Sequence, residues 1–327
     1  MKKNIAVLCG GYSGESVISE QSGQVVYKNL KGGKYNPILV KVSNEGWFAF
    51  VDENKFKIDF NDFSFIDEKG KTNSFDGVFI AIHGTPGENG IVQGFLRLLN
   101  IPFNSGSVIN SSLTFHKKFC NDLLKQYGIP SAQSIYLKIE ESYDPVAIIN
   151  QLGLPCFVKP NKGGSSIGVS KVKKTSELIP AIERAFKEDD EILVEQHING
   201  KEVTCGVVNY KGEIKALSVT EIVFESEFFD YQAKYHDKTT QEITPARISH
   251  ELTQKIMTLT KKVYKTIECR GMIRVDFIIM DDEPYLIEVN TVPGLSEASI
   301  VPKMAAYAGL SLRELFENEV DMMLNAK

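Results

Sequence analysis

The sequence predicts a mixed α/β and α+β protein in three successive units: an open parallel sheet, a small central α+β unit and an antiparallel-sheet unit. Three observations lead to this fold class. A short apolar run at residues 5–9 stops at glycines, as a strand of a parallel sheet often does. A glycine-serine segment at residues 163–168 separates two further apolar runs. Alternating polar and apolar residues flank a turn at residues 281–283, as in an antiparallel hairpin.

The first unit, residues 1–105, alternates short apolar runs with segments of helical spacing. Its first run is followed by a helical pattern over residues 15–30. Further apolar runs and one intervening helix are predicted at residues 37–42, 77–82, 101–103 and 90–99. Ligands bind beyond the carboxyl ends of the strands in such a sheet, so the glycine-rich segments 10–14 and 83–90 are candidate binding loops.

The central unit is predicted at residues 106–195 and the last unit at residues 196–327. A helix over residues 115–127 is expected to end at Gly128 and Pro130. Asn199 and Gly200 separate two apolar runs and form the strongest short signal for a two-residue hairpin turn, so we expect those runs to pair.

Composition narrows the classes of function. A chain of 327 residues can bury two or three cores, and its net charge of -5 gives no attraction for nucleic acid or an anionic membrane. The apolar run near the N-terminus is too short for a signal peptide or a membrane span, so we expect a cytoplasmic protein that acts on small molecules. The five cysteines have no metal-site spacing and are interpreted as core residues.

The predicted hairpin at residues 274–290 carries the strongest candidate metal site. Pairing about Asp282 places Asp276 opposite Glu288 and Arg274 opposite Asn290. Strand alternation puts these four polar side chains on one face, and on the other face it puts Val275, Phe277, Ile287 and Val289. Opposed carboxylates repel each other, and magnesium would offset that repulsion. The alternative is a solvated strand face, which the Pro-Gly loop that follows makes less attractive.

The glycine-serine segment is a candidate phosphate loop. Its glycines let backbone N–H groups approach a polyphosphate, although it lacks the ending of a P-loop. An inert hairpin loop of the same composition is the alternative. The segment at residues 10–14 lacks dinucleotide-binding spacing, and Glu15 after it is either a helix-start carboxylate or the partner of a substrate ammonium.

Together these segments resemble the D-alanine:D-alanine ligase family of ATP-grasp enzymes, over nearly the whole chain. The matching motifs lie at residues 10–15, 81–94, 158–169, 229–235, 274–276 and 288–302. The resemblance implies an ATP-grasp fold and the ATP-dependent joining of two D-alanines through an acylphosphate, for peptidoglycan synthesis. It further implies small-molecule substrates and a homodimer.

The resemblance also assigns residues to ATP and to the metal. The nucleotide pocket would be built by Lys117, Lys159, Ser166, Glu195, Gln196 and Ile198, with Glu202 at the ribose and Lys234 reaching the phosphates from a closing loop. Two magnesium or manganese ions would be held by Asp276, Glu288 and Asn290.

The amino acid substrates are assigned in the same way. The substrate and catalytic residues implied are Glu15, His83, Ser165, Tyr235, Arg274, Gly294, Ser299 and Ile300. Glu15 would bind the first ammonium, Arg274 and the Gly294 amide would stabilise the oxyanion, and Ser299 would bind the second carboxylate. The chain departs from the family's usual residues at His116, where Asp is common, and at Ile300, where Leu is common.

Two other functions remain open from the sequence. One is another ATP-grasp ligase, for example one that forms an ester with D-lactate, although the tyrosine at position 235 favours the dipeptide. His236 is the counter-argument, because a cationic histidine near the acceptor would favour a hydroxy acid. The other is a non-catalytic ATP-binding regulator, against which the complete set of metal and arginine residues argues.

Overall fold

The computed structural model describes residues 2–223 and 240–326, and all structural statements below concern these residues. They form three main sheets with helices packed around them. Within these ranges, no helix has the length and apolar character needed to span a membrane.

The first sheet combines parallel and antiparallel strands. The elements of this part are β1 (Asn4–Gly10), α1 (Ser16–Leu30), β2 (Asn36–Ser43), β3 (Gly46–Val51), β4 (Asn54–Lys57), β5 (Phe65–Ile66), β6 (Thr72–Asn73), β7 (Gly77–Ile80) and α2 (Ile91–Leu98). The strand order is β4-β3-β2-β1-β7, and β5 pairs with β6 separately. β1 is parallel to β2 and β7, as predicted, whereas β3 and β4 add an antiparallel edge. The apolar run at residues 101–103 forms only a bridge from Phe103 to Val78.

The helix expected over residues 115–127 is present, and a second helix that was not predicted comes directly before it. They are α3 (Val108–Phe115) and α4 (Lys117–Gln126), and they meet at His116, whose backbone is extended. The His116 side chain caps α4 by accepting a hydrogen bond from the Phe119 N–H. The sequence prediction missed α3, whose β-branched, Ser and Asn residues have low helix propensity.

The second sheet is small and antiparallel. Its elements are β8 (Ser134–Lys138), α5 (Pro145–Leu152), β9 (Cys156–Pro160), β10 (Ser170–Val172), α6 (Leu178–Ala185) and β11 (Glu191–Gln196), and its strand order is β10-β9-β11-β8. β9 and β10 pair with each other on either side of the glycine-serine segment, as the sequence predicts.

The third sheet is antiparallel and carries the predicted hairpin. Its elements are β12 (Lys201–Tyr210), β13 (Glu213–Val223), β14 (Gln241–Ile243), α7 (His250–Thr266), β15 (Ile273–Met280), β16 (Glu283–Asn290), α8 (Ile300–Tyr307) and α9 (Leu312–Asn325). The strand order is β14-β13-β12-β15-β16.

The prediction of a hairpin at Asn199 and Gly200 is wrong. β11 pairs with β8 and β9, whereas β12 pairs with β13 and β15, so the chain passes here from the second sheet to the third. Gly200 is needed for close packing, because a Cβ atom at this position would lie 2.0 Å from the Ile279 carbonyl oxygen. The local turn signal thus marks a crossing between sheets.

The hydrophobic clusters connect distant parts of the chain. Cys120 and Leu124 of α4 pack with Val203 and Phe277 of the third sheet, not with the second sheet. Helix α9 covers one face of the first sheet, where Phe316 contacts Phe79 at a ring-centroid distance of 5.7 Å. All five cysteines are buried and free, as expected of core residues. The first and third sheets therefore share a core that contains Val7 and Val208, whereas the second sheet packs with its own helices α5 and α6 in a separate cluster.

Candidate active site

Two adjoining cavities lie where the three sheets meet. The larger has a volume of about 520 Å³ and the smaller about 290 Å³. Both are lined by residues that follow strands of the first sheet and by residues of the second and third sheets and their loops. The side chains that face both cavities are Glu15, Phe115, Lys117, Ser165, Glu202, Asp276 and Glu288. Cavities of this combined size accommodate small-molecule ligands.

The hairpin that separates the cavities has the predicted polar row. Arg274 is paired with Asn290, and Asp276 with Glu288. The turn is shorter than expected: Asp281 and Asp282 both have positive φ, of 52° and 58°, and Met280 pairs with Glu283. Such a two-residue turn suits the twist of a hairpin.

A bulge reconciles the short turn with the polar row. The register shifts between Asp276 and Phe277, so that Phe277 pairs with Leu286 and Ile287 has no partner. Leu286 is buried in the core, whereas Ile287 lines the larger cavity. The expectation that Ile287 lies on the apolar face is therefore wrong.

Asp276 is the most heavily hydrogen-bonded carboxylate of the site. Arg274 donates to both of its oxygens, from Nε at 2.8 Å and from an Nη at 2.7 Å. The Thr204 hydroxyl and the Asn290 amide donate to it at 2.5 and 3.0 Å. On the opposite strand, Glu288 lies 3.5 Å from the Lys117 ammonium. Each of the two opposed carboxylates thus has a cationic neighbour, Arg274 for Asp276 and Lys117 for Glu288.

The donor set suits a hard divalent cation. Asp276, Glu288 and Asn290 present carboxylate and amide oxygens on two neighbouring strands, and magnesium prefers such ligands together with phosphate and water. Across residues 2–223 and 240–326, no cluster of three or more His, Cys, Asp or Glu side chains could hold a metal alone. A cation here would therefore need oxygens from a ligand as well as from the protein.

The glycine-serine segment folds against Glu15. Ser165 and Ser166 both have left-handed backbone conformations, with φ of 55° and 57°. The Ser165 hydroxyl donates to a Glu15 carboxylate oxygen at 2.5 Å. Glu15 precedes α1 but makes no capping hydrogen bond with its side chain, which faces the cavities instead. This contact closes the loop of the second sheet onto the first.

The residues assigned to the nucleotide line the larger cavity. Lys159 of β9 pairs with Glu195 of β11 at 2.7 Å, and the Lys117 ammonium donates to the Gly163 carbonyl at 2.6 Å. The other assigned residues on its wall are Ser166, Gln196, Ile198 and Glu202. Lys234 and Tyr235 lie outside the described residues.

The residues assigned to the amino acids line the smaller cavity: Glu15, His83, Arg274, Gly294, Ser299 and Ile300. Ser299 immediately precedes α8, and its hydroxyl lies 2.7 Å from that of Ser296 rather than capping the helix. A Cβ atom at Gly294 would lie 2.8 Å from the Ser299 Oγ, so a side chain here would displace the Ser299 hydroxyl.

The buried His83 and the half-buried Glu88 fix the loop that follows β16. The His83 Nδ1 lies 2.8 Å from the Val292 carbonyl, and its Nε2 lies 2.9 Å from the Ser22 hydroxyl. Glu88 accepts hydrogen bonds from the Gly84 N–H at 2.7 Å and from the Val292 N–H at 3.1 Å. Burial, and secondly the Glu15 carboxylate, raise the pKa of Glu88 to about 7.

Sequence reasoning assigned no role to Glu88 or Thr204. Glu88 lies in the segment 83–90, which the sequence marks as a candidate binding loop, but the residue itself was given no role. Thr204 is on an otherwise apolar strand, and only the pairing of Thr204 with Asp276 brings it to the site.

Comparisons with known proteins agree with this arrangement. Models of the D-ala D-ala ligase N-terminus and C-terminus match residues 4–106 and 123–321. A D-alanine–D-alanine ligase of Flavobacterium johnsoniae is 50% identical over 324 residues, which is 98% of this chain and 99% of the relative.

Solved structures of ligases in this family have a similar fold. A D-Ala:D-Ser ligase from Enterococcus faecalis has a TM-score of 0.87 and 31% identity, covering 99% of this chain and 100% of that one. A D-alanine–D-alanine ligase from Bacillus anthracis complexed with ATP has a TM-score of 0.80 and 30% identity, covering 98% and 97%. With both family models matched across one continuous site, the chain belongs to the D-alanine–D-alanine ligase family.

Proposed function

We propose that this chain joins two D-alanines to D-alanyl-D-alanine with the hydrolysis of ATP to ADP and phosphate, for peptidoglycan synthesis. The observation that carries the proposal is the pair of cavities that meet at Asp276 and Glu288. One is large enough for a nucleotide, and the other suits two small amino acids. Family membership over the whole chain and the activity named for its relatives support the same reaction.

ATP is proposed to occupy the larger cavity. Its phosphates would lie against the glycine-serine segment and the ammonium groups of Lys117 and Lys159, with Ser166 as a further donor and Lys234 reaching them from its own segment. The adenine would lie by Glu195, Gln196 and Ile198, and the ribose by Glu202. The related Bacillus anthracis ligase complexed with ATP supports nucleotide binding in this fold.

Magnesium is proposed as the metal, held by Asp276, Glu288 and Asn290 together with ATP oxygens, as two ions. Bound there, it would neutralise phosphate charge as a Lewis acid. The supporting observation is the oxygen donor set on adjacent strands. Manganese has the same preference for oxygen ligands.

The remaining residues of the smaller cavity are proposed to bind the amino acids. Glu15 would hold the first ammonium, supported by Ser165 and Tyr235, with His83 nearby. Arg274 and the Gly294 N–H would stabilise the oxyanion formed when the second amine attacks the acylphosphate. Ser299 would bind the second carboxylate at the start of α8, and Ile300 would form an apolar wall. A closed site excludes water, which would otherwise hydrolyse the acylphosphate.

The test is coupled ADP release with magnesium, using D-alanine, D-serine, D-lactate and L-alanine as substrates. We expect release with D-alanine and formation of the dipeptide. The related D-Ala:D-Ser ligase makes D-serine the informative second acceptor. Preferred release with D-alanine plus D-lactate would replace the dipeptide with a depsipeptide, and ATP binding without release would favour a regulator.

We also propose that the protein is a cytoplasmic homodimer. ATP, the proposed co-substrate, is available in the cytoplasm. Exposed apolar side chains lie on the neighbouring helices α2 and α3: Ile91, Leu98 and Ile109, with 61%, 83% and 80% of their surfaces exposed. Apolar patches of this kind are typical of interfaces. Light scattering of the wild type and of Leu98→Glu tests the proposal, with a loss of the dimer expected in the variant.

A further inference from the structure

Three chain segments meet at His116, outside the residues assigned above. His116 stands between α3 and α4, directly before Lys117. Its ring stacks on Phe119, with centroids 3.8 Å apart and planes 6° from parallel. Its Nε2 lies 3.0 Å from a Glu191 carboxylate oxygen at the start of β11. The third segment contains Asn161, which lies between the end of β9 and the glycine-serine segment.

Asn161 is fully buried and links all three segments. Its side-chain oxygen accepts from the Lys118 N–H at 2.9 Å, and its carbonyl accepts from the Lys117 N–H at 3.2 Å. Its amide donates to the same Glu191 oxygen at 3.0 Å. The first N–H groups of a helix have no acceptor within the helix, and two of those of α4 are here bound to Asn161.

The hydrogen bonds define one tautomer of His116. Nδ1 accepts from the Phe119 N–H at 3.3 Å, so the ring proton is on Nε2 and points to Glu191. The Asn161 amide nitrogen lies 2.9 Å from Nε2, and it shares with the His116 Nε2–H the same acceptor, the Glu191 carboxylate oxygen. A second proton on Nδ1 would face the Phe119 N–H and remove the cap of α4.

We propose that His116 is a positioning residue for the nucleotide phosphates: its neutral ring joins the start of α4 to the start of the glycine-serine loop and so holds the Lys117 ammonium against that loop. The contact that would depend on it is the 2.6 Å hydrogen bond from Lys117 to the Gly163 carbonyl. His116 itself touches no proposed substrate. The inference rests on the proposed binding of ATP, and it predicts a defect confined to the phosphates beyond the first.

The surroundings of the ring keep it neutral. Burial lowers the pKa of His116, against the opposing effect of Glu191. The other ionisable groups around it are Lys162, which lies 3.3 Å from Glu191, its partner Asp189, and Tyr136, whose ring centroid is 6.1 Å away. Since the neutral ring is the form that caps α4, phosphate binding should weaken as acid protonates it.

The experiment compares the calorimetric affinities of magnesium-ADP and of AMP, which lacks the second phosphate. The variants are His116→Ala, which removes both contacts, and His116→Asn, whose side-chain oxygen can cap α4 without titrating. At pH 8 we expect His116→Ala to weaken ADP binding about tenfold, as for the loss of a helix cap, and AMP binding less than twofold. His116→Asn should stay within about threefold of the wild type for ADP. The exposed His250, changed to Asn, is the matched control.

A second measurement lowers the pH from 8 to 5.5. The ratio of ADP to AMP affinity should fall in the wild type and in His250→Asn but stay level in His116→Asn. Equal losses of ADP and AMP binding in His116→Ala, or the same pH profile in wild type and His116→Asn, would overturn the proposal. Wild-type ligation at pH 8 is measured alongside, so that a failure of the proposed function is seen separately from a failure of the His116 inference.

Discussion

At the scale of single residues, Glu15 provides the first test of the amino acid site. Glu15 would pair with a substrate ammonium in a closed site, which is worth on the order of 1.5–3 kcal/mol. We expect Glu15→Gln to raise the concentration of D-alanine required at the first position at least about tenfold, with little change for ATP.

The measurement combines ATP calorimetry with the two D-alanine constants from coupled ADP release. Glu20→Gln is the matched control, because Glu20 is in the first turns of α1, the helix that Glu15 precedes, and pairs with Lys41 at the surface. A loss that falls mainly on ATP, or that also occurs in Glu20→Gln, would remove Glu15 from the amino acid site.

The carboxylates of the hairpin allow a second test. Glu288→Gln keeps the shape of the side chain but removes one of two opposed charges, so we expect loss of turnover and at least tenfold weaker manganese binding in the presence of ADP, on the scale of about 1.4 kcal/mol per factor of ten. Manganese binding is followed by electron paramagnetic resonance. Glu283→Gln, at the exposed end of the same hairpin, should match the wild type. Near-normal magnesium-dependent turnover in Glu288→Gln would rule out the metal assignment.

At the scale of elements, two turns of the third sheet allow a test by substitution. Introducing glycine in one turn and removing it from the other should change stability in opposite directions. Asp282 has φ of 58° in the β15–β16 turn, and Gly212 has φ of 89° in the β12–β13 turn. Left-handed backbone favours glycine, so Asp282→Gly should raise the free energy of unfolding by about 0.5–1 kcal/mol and Gly212→Ala should lower it by about 1 kcal/mol. Thermal unfolding measures both, and a change of the same sign in the two variants would contradict the assignment of the turns.

These same elements show how far a sequence can predict the site. The polar row of Asp276 and Glu288 was predictable because strand alternation has a fixed period of two. Ile287 was misplaced because the turn length and the bulge that compensates for it depend on packing against neighbouring strands. The pairing at Asn199 failed for a similar reason: a turn signal is local, whereas the choice of a partner strand is made by the whole sheet.

At the scale of the whole molecule, Glu319 of α9 should make the free energy of unfolding depend on pH. Its carboxyl is buried, and one carboxyl oxygen accepts a hydrogen bond from the Met272 N–H at 3.1 Å. The second oxygen has no hydrogen bond from a described residue. Burial raises its pKa from an ordinary 4.5 to about 8. The folded protein therefore binds a proton that the unfolded chain releases, and stability should fall as pH rises from about 4.5 to 8, by up to about 1.4 kcal/mol per pH unit.

Glu319→Gln should flatten that slope, because the amide is neutral throughout. Unfolding temperatures of wild type, Glu319→Gln and the surface control Glu213→Gln are compared between pH 5 and 8.5. If wild type and Glu319→Gln lose stability in parallel over this range, Glu319 is not the group responsible.

Helix α9 also determines when the first sheet can be completed during synthesis. β1 and β7 leave the ribosome early, but the face formed by Val7 and Phe79 is covered by Phe316 and Val320, more than two hundred residues later. Until then this face is an exposed apolar surface on a nascent chain, open to chaperones and to aggregation. Folding of the first unit is thus expected to finish only after translation has passed α9, although its strands are among the first parts made.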